Sequence, residues 1–476
     1  MIKNKGNFLA ISVLTALFFM WGFITCLNDI LVPYLKKIFE LSYTEATLVQ
    51  FSFFGAYFIG SLLYLIISFW RDPISVIGYK NGIIIGLIIS AIACLMFYPA
   101  AESHKYGFFL AALFVLGLGF TLLQIAANPY IAIIGPPETA SSRLNLSQGF
   151  NSFGTTIAPI IGGYFIFHFF NTYGSPILNS KGNQVLTDVG TPLTASGVQI
   201  PYFIFAGIFI LIAVIVFFTK LPNVTSHTEQ TKGLGALRYR NLVLGFIAIF
   251  MYVGAEVSSG SMMINFLKET MNFPEMTAKS YLAFYWGGLM IGRFAGAIAL
   301  STAKNRKIKA FSMTTIALAS FLFIYLAVYL ESGLPISNFL PFLIVIVANL
   351  LAFYFAKSSS HRTLMIFAFI AMISIGLALF TNGAISMWLI IGVGLFNSIM
   401  WSNIFTLAIN GLGKYSSQGS SVLIMAIVGG ALIPPIQGFF ADMFSVHISY
   451  FVPMLCYLYL IYYGISGYKL KLFKKL

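Results

Sequence analysis

The sequence predicts an all-α polytopic membrane protein. Hydrophobic residues make up 59% of the 476 residues and charged residues only 8%, which is more apolar surface than the core of a soluble protein can bury. The apolar residues form long runs that can each cross about 30 Å of hydrocarbon as a helix. Most of the 27 Lys and Arg residues fall in alternate connecting segments, which supports this segmentation.

The runs predict about fourteen transmembrane helices, with both termini in the cytoplasm. The first run is too long for the apolar region of a signal peptide and has no small-residue cleavage site, so we expect it to be retained. The predicted spans lie approximately at residues 9–35, 47–69, 81–99, 107–134, 145–170, 201–219, 242–267, 278–300, 309–330, 339–356, 363–380, 386–409, 418–440 and 448–468.

The chain divides into two halves that resemble each other weakly. A polar segment at 220–240 separates a first bundle, 1–219, from a second, 241–476, and is predicted to be a cytoplasmic linker. Gln148-Gly149 followed by Pro159 has a counterpart in Gln418-Gly419 followed by Pro434. This correspondence indicates duplicated halves. It leaves two extra hydrophobic segments within about 309–380 of the second half.

Asp29 is the one formal charge in the first apolar run. An aspartate near the centre of a spanning helix costs about 2.5–3.5 kcal/mol on insertion scales. Such a carboxylate normally faces a polar cavity, a partner or a transported ion. We therefore expect Asp29 to have a functional role.

Polar amides are concentrated in the fourth and fifth runs. Gln124 and Asn128 are four residues apart, and Gln148 and Asn151 are three apart, so each pair shares a helix face. Amides both donate and accept hydrogen bonds, as the hydroxyls of a sugar require. A single amide is more typical of hydrogen bonding between helices, but the cluster with Asp29 favours a substrate cavity. Asn145 is a further candidate for binding.

Glu256 opens the second half much as Asp29 occupies the first. It is a candidate for coupling or gating. The alternative is a structural partner for a buried cation, and Arg293, which lies within a predicted span, is the obvious choice. Arg293 is accordingly predicted to have a structural or gating role.

Other residue patterns indicate no further chemistry. The three cysteines and five histidines have no spacing typical of a disulfide framework, a metal site or a nucleophile, so neither an enzyme nor a metal centre is predicted. The net charge of +14 is explained by membrane topology rather than by a nucleic-acid partner. For Trp21, Trp286 and Trp401, packing within the spans is favoured over stacking on a sugar.

Six segments together resemble the fucose/galactose/glucose:proton symporter family of the major facilitator superfamily, and its glucose/galactose transporter branch most of all. They are QIAANPY (124–130), RLNLSQGFNSFG (143–154), YVGAEVS (252–258), YWGGLMIGRFAG (285–296), GLFNSIMWSNIFTLAINGLG (394–413) and AIVGGALIPPIQGFFAD (426–442).

The resemblance implies two six-helix bundles with alternating access to a central sugar site. In the fucose branch, a helix-1 aspartate and a helix-4 glutamate are linked to proton coupling and sugar recognition. Asp29 matches the first, whereas Gln124 stands in the place of the second and cannot titrate. Gln148 and Asn151 match polar residues of helix 5. The segment that begins at Arg71 suits the position of a gating loop in this superfamily, although a solvated turn is the alternative.

We expect a hexose symporter of the bacterial inner membrane, with Asp29 in both proton coupling and substrate binding. The expected partners are a monosaccharide, the lipid bilayer and a coupling ion, with no cofactor, and the expected state is a monomer. The ion is H⁺, or Na⁺, because a carboxylate with amide oxygens can also bind Na⁺. Two other transport functions fit the helix count: a lipid-linked oligosaccharide flippase and a drug:proton antiporter.

Overall fold

The computed structural model describes residues 2–41, 43–103, 105–164, 184, 192, 194, 196–222, 233–303 and 305–473. Within some helices it describes the backbone but not every side chain. The side chain of Asp29 lies outside the described ones, so its predicted roles stay predictions.

The first half contains six long helices within the described residues. Strongly apolar sequences with few internal charges favour most of them, and Pro73 stands at the first position of the third, where its missing N–H is not needed. They are α1 (Ile2–Ile38), α2 (Tyr43–Trp70), α3 (Pro73–Ser103), α4 (Tyr106–Ile133), α5 (Ala140–Tyr164) and α6 (Ser196–Phe218).

The second half is broken into more pieces. Several helices end at residues in the left-handed region, namely Asn272 (φ 52°), Gly333 (φ 67°) and Lys357 (φ 52°). The helices are α7 (Arg240–Ser261), α8 (Met263–Met271), α9 (Glu275–Ala299), α10 (Arg306–Ser332), α11 (Phe342–Ala356), α12 (Ser360–Phe380), α13 (Gly383–Asn397), α14 (Met400–Ile409), α15 (Ser416–Met425), α16 (Gly429–Met443), α17 (Val446–Ser449) and α18 (Phe451–Tyr462).

Twelve helical segments in the described residues are long and apolar enough to cross a membrane, compared with the fourteen runs predicted. The remaining two runs are also helical. One, α11, has 15 residues and is too short. The other, α5, carries many Ser, Asn, Gln and Thr side chains in its described part, because it faces the interior of the protein rather than lipid.

Helix packing repeats between the halves. In the first half, α3 packs against α4 and α6; in the second, α12 packs against α13 and α18 in the same way. Likewise, α1 packs on α5 as α7 packs on α16. The helices α10 and α11, between α9 and α12, correspond to no helix of the first half. Of the predicted linker at 220–240, residues 223–232 lie outside the described ones.

The halves meet along two seams, α5 with α9 and α2 and α4 with α15. Hydrogen bonds join both seams toward one end of the molecule, from Ser421 of α15 to Ser61 of α2 and from Ser142 of α5 to Ala297 of α9. We call this end of the molecule, which holds the connections at 71–72, 134–139 and 410–415, the closed end. A cavity of about 650 Å³ lies among these connections. It contains none of the predicted site residues.

Candidate functional site

A cavity of about 440 Å³ lies between the two halves, within the range typical of small-molecule sites. Five of the predicted site residues line it: Gln124, Gln148, Asn151, Glu256 and Arg293. They come from both halves of the chain. The cavity therefore brings together amides of the first bundle with a carboxylate and a guanidinium of the second.

Close contact between α1 and α5 fixes the position of Asn151. A Cβ atom added at Gly22 would collide with the backbone carbonyl of Asn151, and one added at Gly154 would lie 2.8 Å from the backbone nitrogen of Phe23. Glycine at both positions lets the two helix backbones approach. In this arrangement, Asn151 Nδ2 donates to the carbonyl oxygen of Phe18 at 3.0 Å, and Asn151 still lines the cavity.

Aromatic and hydroxyl groups extend the polar wall of the first half. Trp21 Nε1 donates to the hydroxyl of Tyr57 at 3.3 Å, and both residues line the cavity beside Gln124. Thr25 also lines it, and its buried Oγ1 has no protein hydrogen-bond partner. This wall therefore offers both hydrogen-bonding groups and aromatic rings to a ligand.

In the second half, Glu256 is held by two tyrosines. Tyr252, one turn earlier on α7, donates a hydrogen bond to Glu256 Oε2. Tyr285 of α9 donates to the backbone carbonyl of Glu256 at 2.7 Å. Glu256 is half-buried and lines the cavity. It is thus a carboxylate with one tyrosine donor and access to the central space.

Arg293 binds across the seam between the halves. Its Nη1 donates to Ser152 Oγ at 2.5 Å and, weakly, to the carbonyl oxygen of Gln148 at 3.5 Å, and its Nε donates to the carbonyl oxygen of Ser398 at 3.2 Å. Its described partners do not include the Glu256 carboxylate. The charge of Arg293 nevertheless acts on the Glu256 carboxylate electrostatically, and both residues line the cavity. The structural pairing of Glu256 with Arg293 therefore stays a prediction.

Two predicted amides lie away from the cavity. Asn128 and Asn145 are fully buried, and neither side chain has a protein hydrogen-bond partner at its oxygen or its nitrogen. Asn145 lies at the seam, where a Cβ added at Gly296 of α9 would be 3.6 Å from its side-chain carbon Cγ. The structure therefore brings neither of them to the described cavity.

Sequence reasoning missed several cavity residues. Trp286 and Trp401 line the cavity with Trp21, although packing was the favoured interpretation for each. Buried Trp401 Nε1 has no protein partner. Glu331, at the end of α10, also lines the cavity. In the sequence it resembles an ordinary charge flanking a span, and only the position of α10 reveals it.

The closed end is sealed by hydrogen bonds between the halves. Ser417 donates to Asp72 Oδ2, and Ser421 Oγ donates to the carbonyl oxygen of Ser61 at 2.8 Å. Asp72 is buried and also accepts from Tyr64 at 2.5 Å. Burial raises the pKa of the Asp72 carboxyl, although its hydrogen bonds oppose this shift. We call the contacts of Asp72 and Ser61 with α15 the polar seal.

Comparisons with known proteins agree with this architecture. A family model described as Major Facilitator Superfamily matches residues 13–340. The chain is 41% identical over 473 residues to a glucose/galactose transporter of Brucella abortus biovar 1 (strain 9-941), covering 98% of this chain and 95% of the relative. It is 30% identical over 464 residues to the L-fucose-proton symporter of Escherichia coli (strain K12), covering 96% and 92%.

A solved structure of that fold is also similar. The crystal structure of the transporter FucP in the outward conformation matches with a TM-score of 0.74 and 26% sequence identity, over 97% of this chain and 99% of FucP. The predicted all-helical fold class is confirmed by this similarity together with the family match.

Proposed function

Because the chain belongs to the Major Facilitator Superfamily, we propose that it carries a monosaccharide, glucose or galactose foremost, across the bacterial inner membrane together with a proton. The relatives are a glucose/galactose transporter and a fucose-proton symporter. The chain is therefore a transporter and not an enzyme, as predicted.

The cavity between the halves is the observation that carries this proposal. It combines amides that both donate and accept with indole rings, and this is the chemistry that a sugar needs. The hydroxyls of the sugar exchange hydrogen bonds with Gln124, Gln148 and Asn151. The C–H surface of the sugar packs against Trp21, Trp286 or Trp401.

Alternating access explains the orphaned polar groups near the closed end. Asn128, Asn145, Asn403 and Gln418 each have at least one buried side-chain atom without a protein partner. Each such atom costs about 1–3 kcal/mol when it is hidden from water. In a second state in which the closed end opens, water and then sugar reach these groups. Asn128 and Asn145 thus become substrate contacts on the release side.

Proton coupling is assigned to Asp29 and Glu256. Asp29 follows Thr25 by four residues along α1, and Glu256 is the carboxylate of the described cavity. A protonated carboxyl crosses a low-dielectric path more cheaply than a carboxylate does. Asp29 therefore loads the proton before the halves reorient, and Glu256 responds to occupancy of the cavity.

Sugar uptake by proteoliposomes tests this function. With an imposed pH gradient, the parent protein should accumulate sugar, whereas Asp29→Asn should exchange sugar across the membrane without accumulating it. Glu275→Gln is a suitable control, because Glu275 pairs with Lys279 on the surface at 3.2 Å. Accumulation by Asp29→Asn with an unchanged pH dependence would contradict the role of Asp29. If accumulation of the sugar depends on Na⁺ at fixed pH, the coupling ion is Na⁺ and not H⁺.

The proposed orientation has both termini in the cytoplasm, so the closed end faces the cytoplasm and the cavity faces outward. Glu331 supports this direction, because it lines the cavity at the end of α10 that is remote from the closed end. The transport cavity lies within one chain, so we propose a monomer as the working unit.

A further inference from the structure

The helix α10 has no counterpart in the first half, yet it takes part in the central cavity. Four of its residues line that cavity: Ile324, Ala327, Val328 and Glu331. They are spaced at three and four positions, so they form one stripe along the helix. An inserted helix that served only as a lipid-facing addition would have no reason to present such a stripe to the cavity.

Contacts with both α5 and α9 hold α10 in this position. The rings of Phe323 and Phe153 of α5 have centroids 5.2 Å apart. A Cβ atom added at Gly287 of α9 would lie 2.6 Å from Ile324 Cδ1, so glycine allows α10 to approach α9 closely. Thus α10 contacts both helices of one seam.

Nearer the closed end, α5 and α9 contact each other directly. The rings of Phe150 and Phe294 are 5.3 Å apart in an edge-to-face arrangement, and Ser142 Oγ donates to the carbonyl oxygen of Ala297 at 2.5 Å. Farther along α5, Phe153 packs on α10. Beside the cavity, therefore, α10 packs against α5 and α9 and closes the seam between them.

The two faces of α10 differ in their surroundings. Ile324 and Val328, on the cavity stripe, are 1% and 3% exposed, whereas Leu326 and Leu330 are 48% and 79% exposed. Ala327 is the smallest residue of the stripe, and it is half-buried beside Val328. Its small side chain leaves space in the cavity that a larger residue at this position would fill.

We propose that α10 is a wall of the substrate cavity and that Ala327 sets the size of the sugar that the site admits. This inference rests on the proposed function. The apolar stripe contacts the C–H surface of the bound sugar, and the amides of α4 and α5 bind its hydroxyls. A larger side chain at position 327 therefore excludes bulky monosaccharides before it excludes small ones.

Cysteine labelling tests the position of the wall without requiring a known substrate. In a Cys26→Ser background, which removes the native cysteine that lines the cavity, Ala327→Cys should react with a membrane-impermeant thiol reagent added from outside. Leu326→Cys is the matched control on the opposite face of α10. That face meets lipid rather than water, so this cysteine should react far more slowly. If Ala327→Cys is unreactive in right-side-out vesicles, or no faster than Leu326→Cys, the wall assignment is overturned.

Sugar protection and a size series test the specificity. A transported sugar at about ten times its Kd should slow the labelling of Ala327→Cys about tenfold by occupancy. Ala327→Val and Ala327→Phe should progressively lower the uptake of an N-acetylhexosamine relative to that of a hexose, whereas Leu326→Phe should leave the ratio unchanged. An unchanged ratio in Ala327→Val, or labelling that is insensitive to a transported sugar, overturns the size role.

Failure of this inference differs from failure of the proposed function. If the parent protein takes up no monosaccharide while Ala327→Cys still reacts from outside, the proposed function fails and α10 remains a cavity wall. If uptake is intact and Ala327→Cys is unreactive, only the present inference fails.

Discussion

Removal of the Ser417 hydroxyl should open the closed end. Ser417 is the residue of the second half that donates to Asp72 Oδ2, while Tyr64 and the backbone nitrogen of Ile74 donate to Oδ1 from within the first half. Ser417→Ala therefore deletes a contact between the halves and leaves the local ones in place. A hydrogen bond to a charged group contributes about 1.5–3 kcal/mol. Its loss should raise the open population about 10- to 150-fold.

Hydrogen–deuterium exchange in lipid nanodiscs measures this shift, at a pH above the raised pKa of Asp72. Amides that exchange through the open state should exchange faster by the same factor, and residues 71–80 and 410–420 are the segments to follow. The matched control is Ser416→Ala. The Ser416 hydroxyl donates to the carbonyl oxygen of Gly413 at 2.7 Å, within the same half. Equal exchange in Ser417→Ala and the parent protein, or equal acceleration in the control, would refute the role of the polar seal.

Three further predictions concern pH, packing and ligand contact. Burial raises the pKa of Asp72 and opening returns the carboxyl to water, so closure should strengthen as pH falls through the raised pKa; a pH-independent exchange rate at residues 71–80 would contradict this. Gly154→Val should lower the thermal stability in detergent, because its side chain would meet the backbone of α1, whereas Gly207→Ala, with open space around it, should not; equal melting temperatures would refute the packing argument. Trp401→Phe removes the unpartnered Nε1 and should weaken sugar binding about 2- to 10-fold, because one hydrogen bond to the sugar is lost. Unchanged binding in calorimetry would exclude Nε1 as a donor to the sugar.

Much of the fold could be predicted because hydrocarbon imposes a simple rule. Where the structure describes them, all fourteen apolar runs are mainly helical, and the matched patterns around Gln148 and Gln418 belong to helices with similar neighbours in the two halves. The division of α10 and α11 from the core could not be predicted. The sequence indicated two extra segments within about 309–380, but three successive apolar runs do not show which one belongs to the core. The core helix is the one that packs against α13 and α18, which is α12.

The candidate site was predicted in part. Gln124, Gln148 and Asn151 all line the cavity. The three-residue spacing placed Gln148 and Asn151 on one face of α5, whereas Gln124 joined them only through the concentration of amides in α4 and α5. The four-residue spacing from Gln124 brought in Asn128, which lies one turn closer to the closed end and is buried there. A sequence does not specify which conformational state is observed, and a transporter exposes different turns of one helix in different states.

Cys26 offers the most direct test of the central claim that this cavity binds the transported sugar. It lines the cavity, whereas Cys94 and Cys456 are buried elsewhere. A membrane-impermeant thiol reagent added to right-side-out proteoliposomes should therefore modify the unaltered protein at Cys26. A sugar that the same vesicles accumulate should slow the reaction in proportion to its occupancy. A labelling rate at Cys26 that stays constant up to saturating concentrations of that sugar would contradict the account.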